Sequence, residues 1–507
     1  MGKRADQAKK RRKLQSGGVK QIYQAQPPTP RTDGSPSPPA LIEPEELETA
    51  VYVLQTLAEN PAELAQKSMK ELKGAVYGLH RVMAEGATLG ASLTSRISAA
   101  LQDYRFSDAL VLLFEMHVRR LTPKLGAIQR WVRECDATSA PDGSPGDPVA
   151  FRCLDMILRI ANLSSGSASA GPSRLGGTES VISAQVRQTE VFRAREPAEG
   201  EIAIWERMQN NTLFGSTPPP SPYPDFRAVH HVPGPERRPP NLYDSTVYAS
   251  SPNAISLAAG PSRPRAPTRV DVPGVPGAFL VLDVFTPEEC LQIVQAAEAI
   301  GFEKDQAAEG SALQKTSILA RNFVWLADEA FHDHFYSQIR PFVPPTAPVS
   351  PDGHGGGKVR AINRRFRVYQ YTENQLYRPH IDGAWPAAGL HPETGEYMHD
   401  SQPPNDSLWS RYTLLVYLNS DIPDDTGCTT FFLPSSEMGI MNATSVKPIQ
   451  GAVLCFPHGD TEGSLLHEGS AVGPHGGKFV IRTDLLYEAQ GFGQFKPPAG
   501  GVAEGGM

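Results

Sequence analysis

Apolar and polar positions follow two rhythms along this chain, and the rhythm changes near residue 273. Over residues 41–160 the apolar positions recur every three or four residues, as in helices with one buried face. Leu47, Ala50, Val51, Leu54 and Leu57 form one stripe. "SDALVLLFEMHVRR" forms a second, with Ser107 as expected N-cap and Leu110, Leu113, Phe114 and Val118 as expected buried face. After Pro123 comes a third, made of Ile128, Trp131, Val132 and Cys135. The pattern predicts an all-helical domain over 41–160.

"FLVLDVF" then reads as a strand, and a helix follows it. Thr286 is its expected N-cap, Pro287 its first helical residue, and Glu289 completes a capping box. Ile293, Val294, Ala297 and Ile300 make its apolar face, and Gly301 ends it. "ARNFVWLADEAFHDHFYSQIRPFV" ends in another helix. Beyond it lie short β-branched or aromatic runs: "VRAINRRFRVYQY", "RYTLLVYLN", "CTTFFL", "GAVLCFP" and "KFVIRTDLLYE". Few helices followed by many strands predict a jelly-roll, a double-stranded β-helix with flanking helices, over 273–492.

The 47 Pro and 45 Gly of the 507 residues are clustered, which marks the joints. Residues 161–180 are Ser/Gly-rich, a short helix is expected around 181–210, and Pro, Ser and Arg dominate 215–272. Residues 161–272 are therefore expected to be a largely disordered linker, with disordered tails over 1–40 and 493–507. The net charge of -7 is mild and does not suggest a nucleic-acid partner. No run of eighteen apolar residues exists, and the basic N-terminus lacks an apolar core, so neither a membrane span nor a secretory signal is expected. "KKRRK", Lys9 to Lys13, reads equally as a nuclear-import patch or a solvated tail. The five cysteines show no C-x-x-C pair, which argues against a disulfide framework or zinc site. These features point to the cytoplasm or nucleus.

Candidate chemistry sits in "YRPHIDGAWP". In a strand, residues two apart share a face, so His380 and Asp382 can reach one metal ion. Two polar residues on a solvated face would look the same. A third ligand decides between them, and His458 and His467 both lie downstream. Two His and one carboxylate suit a mononuclear iron oxygenase. A 2-oxoglutarate cosubstrate also needs a cation for its far carboxylate. Lys478 and Arg482 follow His467 at +11 and +15, whereas nineteen positions after His458 hold no Lys or Arg. His467 is the expected ligand, and His458 is expected in a loop. Elsewhere, His332 and His334 are expected at a helix surface, and His230 and His231 in the linker. Cys428 and Cys455 are expected as buried thiols. The insert "AWPAAGLHPETGEYMHDSQPPNDSLWS" reads as a lid or substrate loop, with Trp385 near its start.

Four segments in order, "RVYQYTENQLYRPHIDG", "RYTLLVYLNSDIPDDTGCTTFF", "GAVLCFPHGD" and "LLHEGSAVGPHGGKFVIRTDLLY", make residues 274–490 resemble the prolyl 4-hydroxylase branch of the Fe(II)/2-oxoglutarate dioxygenases. The resemblance implies His380, Asp382 and His467 as iron ligands and Lys478 as the cation for 2-oxoglutarate, with Arg482 as runner-up. It implies Tyr371 and Tyr417 as 2-oxoglutarate contacts. It also implies O2 as cosubstrate, ascorbate as reductant, and a prolyl residue in a peptide or protein as substrate. Lys478 stands one position further from the last His than is usual in that family, and Thr426 replaces a Gly of its "GGxT" turn. Two alternatives stay open: the same chemistry on a nucleic acid, as in demethylases, and a non-catalytic binding module. In the N-terminal half, "ALVLLFEMHVRRLTPKLGAIQRWVREC" resembles one pentatricopeptide repeat, a helix pair from a family that reads RNA. The helical domain is also a candidate docking site for a separate partner.

Overall fold

The expected helices form, but they do not make one domain. The computed structural model describes residues 44–489, except 61, 64–65, 87–91, 136–146, 162–184, 198–199, 217–222, 224, 238–239, 259–264, 309–319, 349–355, 404, 424, 460 and 462. The basic patch, both expected tails and most of the Ser/Gly tract lie outside the described residues. Residues 1–84 and 85–507 form separate units. The first contains Pro44–Glu59 (α1) and most of Lys70–Gly86 (α2). The α1 stripe is helical but not covered: Leu47, Val51 and Leu54 are 57, 45 and 44% exposed.

In the second unit, Leu93–Gln102 (α3), Phe106–Val118 (α4), Leu125–Glu134 (α5) and Pro148–Ile160 (α6) form one layer. The Ser92 hydroxyl caps α3 by accepting from the Ser95 N–H, and Asp147 caps α6 by accepting from the N–H groups of Val149 and Ala150. The α5 stripe is buried as expected. The α4 expectation needs correction. Its N-cap is Arg105 without a side-chain cap, and Ser107 lies inside the helix. Its buried residues are Ala109, Leu112, Leu113 and Met116, while Phe114 and Val118 are exposed. "ALVLLF" is apolar all round, so periodicity could not choose the face. The two helices that resemble a pentatricopeptide repeat pack with α3 and α6 against a sheet, which gives no support to a repeat array.

A ten-stranded sheet runs in the order Phe226–Val232 (β2), Ser245–Ser250 (β3), Arg321–Leu326 (β6), Arg365–Thr372 (β8), Gly477–Glu488 (β17), Leu408–Tyr417 (β12), Val453–Pro457 (β15), Phe279–Leu282 (β5), Thr268–Asp271 (β4). Val359–Ile362 (β7) also pairs with β17. A five-stranded sheet runs Gln185–Gln188 (β1), Ile440–Val446 (β14), Thr429–Pro434 (β13), Leu466–Gly469 (β16), Tyr377–His380 (β9). From β8 onward the chain passes between the sheets, an order compatible with the expected jelly roll. Tyr369, Tyr417, Leu454 and Phe456 of the large sheet meet Phe431 and Val446 of the small one.

Each sheet also has a covered outer face. On the large sheet, Val368, Leu414, Val416 and Ile481 pack against Pro287–Ile300 (α8) and Glu329–Ile339 (α9). The Thr286–Glu289 capping box of α8 is present, and Gly301 follows at φ 103°. On the small sheet, Ile381, Phe432, Met441, Ala443 and Leu466 join the core of the α3–α6 layer. Alternation then sends Phe431, His467 and His380 inward. Leu154→Ala, at a fully buried position of this core, is expected to cost about 2–5 kcal/mol. Because this cluster spans helices and sheet, amide hydrogen exchange of α3–α6 and of β13, β14 and β16, followed against urea, should give one shared transition. Separate transitions would contradict a shared core.

The expected linker also differs. Among described residues of 161–272, β1 pairs parallel to β14, β2 and β3 extend the large sheet, and Ile204–Gln209 (α7) is helical. Ile204, Trp205, Leu213 and Val247 are buried anchors, and ladder hydrogen bonds supply the remaining order. Trp205 lies so close over Gly477 that a Cβ there would come within 2.1 Å of its ring.

Candidate metal centre

His380 closes β9 and is the cross-strand partner of His467 on β16. Asp382 lies two residues on, with the outward Ile381 between. One ligand atom from each of the three lies within 4.8 Å of the others, and all three residues are at least nine-tenths buried. Among the described residues this is the only such cluster of three. The Asp382 Oδ1 is 3.6 Å from His380 Nε2, and its Oδ2 is 3.7 Å from His467 Nε2.

The backbone fixes both imidazoles. His380 Nδ1–H donates to the Arg378 carbonyl at 2.7 Å, and His467 Nδ1–H to the Leu465 carbonyl at 3.1 Å. A carbonyl only accepts, so Nδ1 carries a proton in each ring and Nε2 is the nitrogen turned toward Asp382. Tyr377 stacks on His380 at 3.7 Å between centroids, and Phe456 meets His467 edge-on at 4.6 Å. Burial, then the neighbouring His380, pushes the His467 pKa down to about 3, so it is neutral and ready to ligate at neutral pH.

Behind Asp382 runs a chain of hydrogen bonds with one consistent direction. Trp385 N–H donates to Ser410 Oγ at 2.7 Å, and Ser410 O–H to His458 Nε2 at 2.8 Å. His458 Nδ1–H donates to Thr413 Oγ1 at 2.7 Å, and Thr413 O–H to Asp382 Oδ2 at 2.6 Å. Burial, then Arg482, pushes the His458 pKa down to about 3, which keeps it neutral for this relay. His458 lies just past the end of β15, outside any strand as expected, but it is 1% exposed and its ring reaches Asp382 through Thr413. Its contacts with β12, a backbone bond to the Arg411 carbonyl and the side-chain bonds to Ser410 and Thr413, show this role, and its place directly after the "VLCFP" strand was a signal of burial. His458→Ala is expected to weaken metal binding about 10–100-fold by equilibrium dialysis. An unchanged affinity would refute the relay.

Arg482 Nη2 is 3.5 Å from Asp382 Oδ1 and 3.1 Å from Asp484 Oδ1. Burial alone would raise the Asp382 pKa, but Arg482 and both imidazoles outweigh it and hold the carboxyl well below its usual range. Lys478 lies four residues earlier on the same face of β17, roughly 13 Å away along the strand. Its Nζ sits 5.6 Å from the Tyr371 ring and 5.5 Å from the Tyr417 ring. Tyr371 is its cross-strand neighbour, and Tyr417 O–H donates to Thr429 Oγ1 at 2.8 Å. Among the described residues no carboxylate pairs with Lys478. Burial, then repulsion from Lys447, pushes its pKa down to about 8. All seven sequence-predicted residues thus line one interior. The irregular turn also closes: Thr426 O–H donates to the Pro423 carbonyl at 2.6 Å and accepts from the Gly473 N–H at 3.0 Å.

Other expectations shift. His332 and His334 are half-buried: His332 Nε2–H donates to the Ile362 carbonyl at 3.1 Å, and His334 Nε2 is 3.8 Å from Glu289. His230 is in β2 and stacks on Tyr397 at 5.1 Å. The insert after Asp382 contains a small hairpin, Gly389–Leu390 (β10) with Tyr397–Met398 (β11). Cys428 and Cys455 are buried free thiols, as expected. No described helix is long and apolar enough to cross a membrane.

No protein-family profile matches the chain, and no curated protein does. Similar solved structures are 2-oxoglutarate/Fe(II) oxygenases, including prolyl hydroxylases. A collagen prolyl hydroxylase of Paramecium bursaria Chlorella virus-1 aligns at 19% identity over 45% of this chain and 99% of its own, with a TM-score of 0.26. A Pseudomonas putida prolyl-4-hydroxylase aligns at 16% identity over 26% and 53%, with a TM-score of 0.17. A Burkholderia pseudomallei oxidoreductase of the 2-oxoglutarate/Fe(II) oxygenase family aligns at 12% identity over 42% and 87%, with a TM-score of 0.25. At these values the functional reading rests on the geometry of the site itself.

Proposed function

We propose that this chain is an Fe(II)- and 2-oxoglutarate-dependent dioxygenase that hydroxylates a C–H bond and releases succinate and CO2. The carrying observation is a buried two-His-one-Asp set sharing an interior wall with a buried, unpaired lysine. The donor set fits Fe(II): two imidazole Nε2 atoms and one ionised carboxylate converge, with no fourth ligand in the cluster among the described residues. When bound, iron supplies O2 activation driven by oxidation of the 2-oxo acid.

The chain's own residues supply position and polarity. His380, Asp382 and His467 hold the metal. Thr413 and His458 aim the Asp382 carboxylate, and Arg482 keeps it ionised. Lys478 pairs with the far carboxylate of 2-oxoglutarate, and the Tyr371 and Tyr417 rings exclude water from that pair. Arg482 is the poorer candidate because two aspartates already hold it.

A prolyl residue in a peptide or protein is the proposed target, with ascorbate as reductant. Support comes from the ordered segments quoted above and from lysine at the cosubstrate position, where nucleic-acid demethylases usually carry arginine. The test is incubation with Fe(II), ascorbate, 2-oxoglutarate and proline-containing peptides. Succinate release and a gain of one oxygen on proline are expected. Bound iron without succinate would reject the activity, and oxidation of other residues alone would reject the prolyl assignment.

The lysine also predicts a pH dependence. Lys478 must be protonated to pair with a carboxylate, and its pKa is about 8. KM for 2-oxoglutarate should be flat below pH 8 and rise about tenfold per unit above it. A KM flat through pH 9.5 would exclude Lys478 as the partner.

A further inference from the structure

A second unpaired cation lies on the other side of the metal ligands. On β8, Arg365, Arg367, Tyr369 and Tyr371 share the inward face. Tyr371 is opposite Lys478, and Arg367 is opposite Arg482 beside Asp382. Arg365 is the next inward position beyond them. The ligand set therefore stands between Lys478 at one end of this wall and Arg365 at the other.

The two neighbouring arginines have carboxylates. Arg367 Nη2 is 3.3 Å from Asp305, and Arg482 pairs with Asp382 and Asp484. Half-buried Arg365 has no ion pair or side-chain hydrogen bond among the described residues. Its guanidinium lies over the Trp385 ring at 5.3 Å, three residues after Asp382. The charges of Arg367 and Arg482 act against it, and Asp484 faces it without pairing. A guanidinium is not discharged by losing its proton, so such a site is completed by an anion. An aromatic plate beneath it leaves the in-plane N–H fork free for a carboxylate.

We infer that Arg365 is the substrate-anchoring residue, and that the substrate carries a carboxylate held against Trp385 while its C–H faces the metal ligands. This rests on the oxygenase reading for its meaning but not for its test. The carboxylate can belong to an acidic residue next to the target proline or to a free imino acid. Lys478 is screened from this role because it lies at the opposite end of the wall.

The test is calorimetric binding to the full-length, metal-free protein. The probes are capped pentapeptides with a central proline flanked by Glu, Gln or Lys, and free L-proline. The Glu peptide or L-proline should bind at least about tenfold tighter than the Gln peptide, and which one does so identifies the source of the carboxylate. Arg365→Gln should erase the preference, Arg365→Lys should keep most of it, and Arg365→Glu should shift it to the Lys peptide. Equal affinities, no binding of any probe, or a preference unchanged in Arg365→Gln overturns the inference. Succinate formed by the Fe(II)-loaded protein with ascorbate, 2-oxoglutarate and the same probes reports on the oxygenase reading separately. Its absence from the wild type beside an intact acid preference would sink that reading and leave the Arg365 site standing.

Discussion

His467→Ala should abolish metal binding and succinate formation together, with turnover falling at least about a thousandfold. In the metal-free protein it loses the packing of a neutral buried ring and one hydrogen bond to the Leu465 carbonyl, but it leaves no charge unpaired. Asp382→Ala has the same functional result and an opposite stability signature. It leaves Arg482 buried with Asp484 as its remaining carboxylate, which should cost about 3–5 kcal/mol. Metal content, succinate yield and urea midpoint, measured on both variants, check this. An Asp382→Ala protein as stable as His467→Ala would contradict the assigned Arg482 pairing.

Lys478→Met raises the 2-oxoglutarate requirement and the stability at once. Losing a buried charge-assisted pair should raise KM for 2-oxoglutarate about 30–100-fold. The stability gain follows from the depressed pKa of about 8 against an ordinary 10.5. Between those values the unfolded chain binds more protons than the folded one. Stability therefore rises with pH through that window, and the buried ammonium costs roughly 3 kcal/mol below it. Methionine fills the space without the charge. The melting temperature should rise by a few degrees at pH 7, and the pH 8–10.5 increase should vanish. A variant that loses both cosubstrate affinity and stability would show that Lys478 has an anionic partner within the fold.

The sequence made the site legible because its chemistry is local. His380 and Asp382 sit two apart on one strand, and Lys478 follows His467 at a distance set by one turn and one strand. The alternating runs after Arg365 carried the two-sheet core for the same reason. The misreadings share a different cause. The burial of the loop residue His458 went unread because its partners, Ser410 and Thr413, are more than forty residues away. Strand β1 falls where a short helix was expected and β2 and β3 in the Pro- and Ser-rich stretch, because sheet edges recruit backbone groups, which leave little trace in side-chain pattern. Nor could periodicity show that residues 41–160 divide, with α3–α6 covering the strands that carry the metal ligands. That cover depends on Ile381, Phe432 and Leu466, each the alternate neighbour of an inward residue.

The most direct measurement is an anaerobic titration of the Fe(II)-loaded protein with 2-oxoglutarate, followed by visible absorbance. A 2-oxo acid chelated to Fe(II) absorbs there, whereas either component alone does not. The band should saturate at about one equivalent per chain, because the described residues hold one such ligand set. It should be absent in His467→Ala and should need far more cosubstrate in Lys478→Met. Stoichiometric iron with no such band, or an undiminished band in His467→Ala, would contradict a centre built from His380, Asp382, His467 and Lys478.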